Sequence, residues 1–371
     1  MTSEDEHPHF LLTAAGQRTA ATGVAATFTD PYAAAAAVRE GRVAAVVGAL
    51  PFDLGDPAAL TVPEHLGPAP SSAPAAPSPA SAEPSPASGA GALPELTQVA
   101  EHPLPAEHVA RVRRAIELIC SSELRKVVLA RAVDFVSETV IDPLALAAAL
   151  EVRDLQGNCF AVRLDAAGGR FANRWLVGSS PEILVGRMGD RVFCHPYAGT
   201  ATDPDGLLDS VKDREEHAYV VDEIAAALAP LCGELDVPEA PSVSRAGPVW
   251  HLGTRIEGTL RSPSTTALDL ALALHPTPAV CGFPRDMAAR AIADLEGDRG
   301  FYAGAVGWTT GDGDGHWRVS IRCAELHGTA LRAVAGGGIV AASDPEAELA
   351  ETGNKLRAVL GPFRVTAPSP R

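Results

Sequence analysis

The run KVVLARAVDFV, Lys126 to Val136, carries five β-branched or aromatic residues in eleven and neither glycine nor proline. It reads as a long strand. Upstream of it, His108 to Ser121 has the spacing of an amphipathic helix. Downstream, Asn158 to Leu164, Arg174 to Val177 and Ile183 to Val185 read as further strands. Ser210 to Leu231 reads as a long helix. Pro248 to Leu260, Gly304 to Trp308 and Trp317 to Ala324 return to strand character. A last helix starts near Ser343, where Ser343-Asp344-Pro345-Glu346 has the form of a capping box with proline in the first turn. Strands come in runs with interspersed long helices, not in a regular strand–helix alternation, so the fold class expected is α+β. No fixed-period repeat is present.

Nearer the N-terminus, Arg42 to Gly48 reads as a buried strand followed by a turn at Pro51-Phe52-Asp53. From about Pro63 to Pro94 the chain is mostly Pro, Ala, Ser and Gly, a composition that cannot build a packed core. The single strand before it is too little for an independent domain. The segment is therefore read as a disordered insertion within one domain spanning residues 1–371.

The 371 residues carry a formal net charge of −16. Nucleic acid and anionic membranes need a cationic footprint, so neither is expected as a partner. The six cysteines, at 120, 159, 194, 232, 281 and 323, include no CxxC pair. They read as small buried hydrophobes of a reducing compartment. Met1 to His9 lacks the basic and apolar regions of a signal peptide. A cytoplasmic protein is expected.

Several constellations could carry chemistry. Asp213 and Glu216 share one helical face, and so do Glu348, Glu351 and Lys355. Two such faces could hold a hard divalent cation such as Mg2+, although charges so spaced more often form a solvated face. Glu182 follows the apolar run Trp175 to Gly178 and precedes Ile183-Leu184-Val185. Desolvation there would make it a general acid; an exposed turn glutamate is the commoner case. Lys126 opens an apolar strand and could serve as a base if it faces a cavity, or could simply face water. Gly336-Gly337-Gly338 could let the backbone approach an anion, or form a tight turn. Arg322 and His251 sit in apolar runs, where a carboxylate contact and a core ion pair or hydrogen bond are both open. His275-Pro276-Thr277-Pro278 reads as a rigid loop. The chain has no GxSxG, HExxH or zinc spacing.

In order along the chain, KVVLAR (126–131), GSSPEILV (178–185), PYAGTATD (196–203), DREEH (213–217), HLGTRIEG (251–258), HPTPAVCGFP (275–284), the stretch from Asp298 to Cys323, AGGGIV (335–340) and AELAETGNK (347–355) resemble the chorismate-binding enzymes. GALPFD (48–53) is also similar to that family, and the core motifs fall within residues 100–371. The resemblance implies a single large α+β domain, with two antiparallel β-sheets in a sandwich flanked by helices, a monomer, and chorismate as substrate.

It also implies roles. Glu216 and Glu351 match Mg2+ ligands, with Asp213 and Glu348 as water-mediated neighbours. Arg322, Tyr302 and the backbone near Gly336 match the enolpyruvyl carboxylate site. Lys355, Gly199 and Thr200 match further substrate contacts, and His251 a residue near the ring carboxylate. Lys126 matches the lysine that activates water in members where ammonia-using relatives carry glutamine. Ala198 stands where other relatives carry a nucleophilic lysine. The resemblance therefore implies water attack at C2 with Glu182 protonating the departing C4 hydroxyl, giving isochorismate. Ala279-Val280 is similar to isochorismate-forming members. Tyr302 is instead similar to members that continue to salicylate by losing pyruvate. A catalytically silent binding subunit is the reading of another class, against which the retention of Lys126, Glu182, Glu216 and Glu351 stands. The implied product would feed siderophore, menaquinone or other secondary metabolism, with siderophore supply or another secondary metabolite favoured.

Overall fold

The computed structural model describes residues 7–14, 16–69, 93–154, 157–201, 203–246 and 249–366. Hydrogen bonds join 18 strands into one ladder and set a further three apart as a small sheet. Among the described residues every pairing is antiparallel except that of Val365–Thr366 with Leu96–His102. Antiparallel pairing throughout is what separates this α+β arrangement from a βαβ array.

Strand Phe10–Ala14 lies within the ladder. On one side follow Cys159–Arg163, Trp175–Ser179, Cys323–His327, Ala330–Ile339 and Lys126–Val136. On the other side follow Gln17–Phe28, Ala59–Pro68, Ala45–Leu50, Ala305–Thr310, Gly315–Val319 and Ile183–Met188. Both arms feed one apolar cluster, which includes Phe160 and Val162 from the first and Val46, Leu60 and Trp317 from the second. Burial of this kind is worth ~25 cal/mol per Å² of apolar surface and is the main force holding the arms together. The one polar atom of Trp317 is satisfied, its Nε1 donating to Thr309 Oγ1 at 3.0 Å.

The strand Lys126–Val136 falls where its composition places it. Other expectations need correction. The proline-rich segment begins later than its composition suggests: Pro63 to Pro68 belong to strand Ala59–Pro68, which pairs with Gln17–Phe28 and so gains a ladder that composition does not reveal. Residues 70–92 of that segment lie outside the described residues. The run Pro248 to Leu260 is two strands, Val249–Gly253 and Ile256–Leu260, because the first joins the small sheet and the second the large ladder. Trp317 to Ala324 likewise splits into Gly315–Val319 and Cys323–His327. Of the two readings of Gly336-Gly337-Gly338, the tight turn does not hold: they are the end of strand Ala330–Ile339, paired in register with Val128, Leu129 and Ala130. The N-cap of the last helix, Pro345–Leu360, is Asp344, whose side chain accepts from Ala347 N; the Ser343 hydroxyl donates to Glu348 Oε1 at 2.7 Å instead.

Candidate active site

One cavity gathers the ends of these elements. Its lining includes Glu182, Gly199, Asp213, Glu216, His251, Ala279, Val280, Tyr302, Arg322, Gly336, Glu348, Glu351 and Lys355, and Ala198 beside them. Lys126 stands directly behind the lining, its Nζ 2.9 Å from Glu216 Oε1. Thr200 lies in strand Tyr197–Ala201 opposite His251, but its side chain falls outside what the structure describes.

The first expectation to be decided is exposure. Lys126 is 0% exposed and Glu182 4% exposed, so neither faces water. Lys126 sits at the start of its strand, where Phe283 pairs with it. Glu182 follows a turn fixed at several points. Ser180 N donates to the Asn158 carbonyl, Arg318 Nη1 donates to the Ser180 carbonyl at 2.7 Å, and Val319 N donates to the Glu182 carbonyl. Burial pushes the Glu182 carboxyl up to about 8, and Lys126, Arg322 and Lys355 pull against that without reversing it. A carboxyl in that range is largely protonated at neutral pH, which is the state a general acid needs.

The two helices Val211–Leu228 and Pro345–Leu360 carry the acidic face. Glu216 and Glu348 are buried, not solvated. Burial, then the neighbouring Glu351, raises the Glu348 carboxyl to about 7, with Glu216 adding to the effect. Glu351 goes the other way: burial would raise it, but Lys355, whose Nζ lies 2.6 Å from Glu351 Oε1, outweighs that and holds it below the usual range. Lys355 Nζ also donates to the Gly336 carbonyl at 2.9 Å. Lys212, which sequence reasoning missed, lies 3.6 Å from Glu348 Oε1. Its signal was its i, i+4 spacing to Glu216. Among the described residues no three or more His, Cys, Asp or Glu side chains stand together at metal-holding distances.

Arg322 is buried, but it does not lie inside a strand: it adopts φ +52° in the break between Gly315–Val319 and Cys323–His327. A non-glycine residue held there is strained, which turns its side chain out of the strand repeat and into the cavity. Its Nη2 stands 3.3 Å from His251 Nε2. Burial and then Arg322 and Lys355 drive His251 well below its ordinary value, so its ring is neutral. Tyr302 is buried and its phenol is raised by burial.

The glycines create the space. A Cβ at Gly338 would lie 2.5 Å from Glu216 Oε1 and 3.1 Å from Lys126 Cε. Gly199 adopts φ +76°, and a Cβ there would meet Asp213 Cβ at 2.9 Å. Gly338→Ala is therefore expected to lower the unfolding free energy by about 1–3 kcal/mol, as overpacking does. Urea denaturation measures it; a change below about 0.5 kcal/mol, the ordinary surface range, would show the cradle to be loose.

The chorismate binding enzyme profile matches residues 81–363. MenF of Mycobacterium tuberculosis is 46% identical over 367 residues, covering 95% of each chain. The isochorismate synthase DhbC of Bacillus subtilis is 42% identical over 326 residues, covering 85% of this chain and 79% of the relative. The crystal structure of DhbC from Bacillus anthracis superposes with a TM-score of 0.83 at 36% identity, covering 98% of this chain and 96% of that one. A matching profile and near-full-length relatives lead to one statement: the chain belongs to the chorismate-binding enzyme family.

Proposed function

We infer that this protein is an isochorismate synthase, converting chorismate to isochorismate. Two observations carry the reading: relatives of that activity match along most of the chain, and a buried acid and a buried amine serve one cavity. Lys126 takes a proton from water as the water oxygen bonds to C2. The ring double bonds shift. The C4–O bond then breaks as Glu182 gives its proton to the departing hydroxyl, which leaves as water. Lys126 must be uncharged to do this, so its pairing with Glu216 is broken in the working complex. Each transfer of this kind is worth ~10²–10⁴-fold. Arg322 and neutral His251 sit where a carboxylate of the substrate would be held, with Tyr302 and Gly336 beside them. Ala198 leaves no amine at the position of a competing nucleophile.

Mg2+ is the cofactor we propose, on Glu216 and Glu351, with Asp213 and Glu348 in support. Asp213, Glu216, Glu348 and Glu351 gather on one side of the cavity, and a divalent cation there would offset their charge and that of a dianionic substrate. The buried Glu348 Oε2 has no hydrogen-bond partner, which supports this placement, and Gly337 lets the strand pass close to it, since a Cβ there would stand 2.9 Å away. When bound, the ion would neutralise and orient the substrate carboxylate. Glu351→Ala should lose roughly 10²–10³-fold in activity, several kcal/mol of charge stabilisation, together with its Mg2+ dependence. Activity at the parent level over a Mg2+ titration would remove Glu351 from the metal site.

We further propose a single domain and a monomer, with the long ladder bent near Phe10–Ala14 so that its two arms face one another as a sandwich. The shared apolar cluster supports this. No helix among the described residues is long and apolar enough to cross a membrane. Chorismate and Mg2+ incubated with the protein should yield isochorismate as the main early product. Tyr302 favours the second reading, and salicylate as the early product would establish it in place of the first.

A further inference from the structure

A second recess opens on the far side of Tyr302. It offers about 390 Å³ and is lined by Arg111, Arg131, Arg170, Arg174, Arg299 and Arg332. On a chain with net charge −16 and 30 basic residues, one-fifth of those residues face this single recess. Ion pairs do not use up the donors. Glu101, Asp298, Glu325, Glu296 and Asp134 pair with Arg131, Arg170, Arg174, Arg299 and Arg332. That leaves five carboxylates for six guanidiniums, and Arg111 has no ion-pair partner among the described residues. Each guanidinium has five N–H donors, of which one carboxylate takes at most two. Ala130, Leu176, Val334 and Tyr302 add apolar surface to the same lining.

We propose that this recess binds a small cyclic or aromatic carboxylate, with its ring on the apolar surface and its carboxylate among the arginines, and that binding there slows the reaction at the neighbouring site. Two features connect the cavities. Tyr302 lines both. Arg299, also in the recess, donates to the carbonyls of Val128 and Val280 at 2.6 and 2.8 Å, and both residues line the active-site cavity. A carboxylate that competes with Glu296 for Arg299 loosens those two anchors. Guanidiniums mixed with apolar surface in one recess select a ring-bearing carboxylate over inorganic phosphate, which gains nothing from the apolar residues.

The effect on turnover rests on the isochorismate synthase reading; the binding does not. Benzoate titrated calorimetrically into the full chain, without chorismate or Mg2+, should bind with a Kd of about 1 mM or tighter. Phosphate should bind at least about tenfold more weakly, a gap of one decade in affinity. In steady state, benzoate should inhibit about fivefold at saturation, the lower end of ordinary coupling between sites, and chorismate should not relieve it. Arg111→Ala, which breaks no ion pair, and Arg332→Ala, at an exposed position, should weaken binding while leaving uninhibited turnover unchanged. Absence of calorimetric binding, equal binding of phosphate, inhibition relieved by chorismate, or unaltered affinity in both variants would each overturn the proposal. A protein that binds benzoate here but turns over no chorismate would keep the site and overturn the activity.

Discussion

Glu182→Gln is expected to lose ~10²–10⁴-fold in kcat for isochorismate formation while keeping its fold. Glutamine keeps the shape and much of the hydrogen bonding of the acid but has no proton to give. The parent enzyme should also show a signature in pH. Burial raises Glu182 to about 8 in the free protein, so the competent, protonated form prevails below that pH and is lost above it. kcat/KM, which reports the free enzyme, should therefore fall as pH rises through about 8. A second carboxylate brought by the substrate would raise the group further and move the limb in kcat to higher pH. A glutamine variant with near-parent turnover would remove Glu182 from the reaction.

Lys126→Ala carries two losses that can be separated. The lysine is buried against Glu216 at 2.9 Å, with side-chain exposures of 1% and 12%. Removing one partner leaves a buried carboxylate uncompensated, at a cost of about 3–5 kcal/mol of stability. Removing the amine also removes the base, at ~10²–10⁴-fold in rate. The double variant Lys126→Met with Glu216→Gln replaces both partners by near-isosteres, and most of the lost stability should return. Activity should not. Denaturation midpoints and product assays on the three proteins check this. Turnover that recovered along with stability would mean that Lys126 only holds the fold.

Much of this site was legible from residues because its parts lie in local patterns. The strand at Lys126, the carboxylates three residues apart on two helices and the glutamate between two apolar runs each follow from spacing. What spacing could not show was burial. Glu216 and Glu348 look like a solvated face until the two helices close over the strand ending at Ile339. Arg322 looked like a strand residue because hydropathy does not encode a positive φ. The three glycines looked like a turn because the reason for them, room for Glu216 and Glu348, lies on other elements. Pro63 to Pro68 showed the same limit: low-complexity composition hid a strand that exists through its pairing with Gln17–Phe28. Lys212 was missed because its i, i+4 spacing to Glu216 is equally that of an ordinary solvated helical pair.

The reaction proposed makes one demand above others: the new hydroxyl at C2 comes from solvent, delivered by Lys126, and is not carried over from C4. Turnover in H2¹⁸O, quenched early and analysed by mass spectrometry, tests that directly. One ¹⁸O atom at C2 of isochorismate is the predicted result, and unlabelled isochorismate would contradict it.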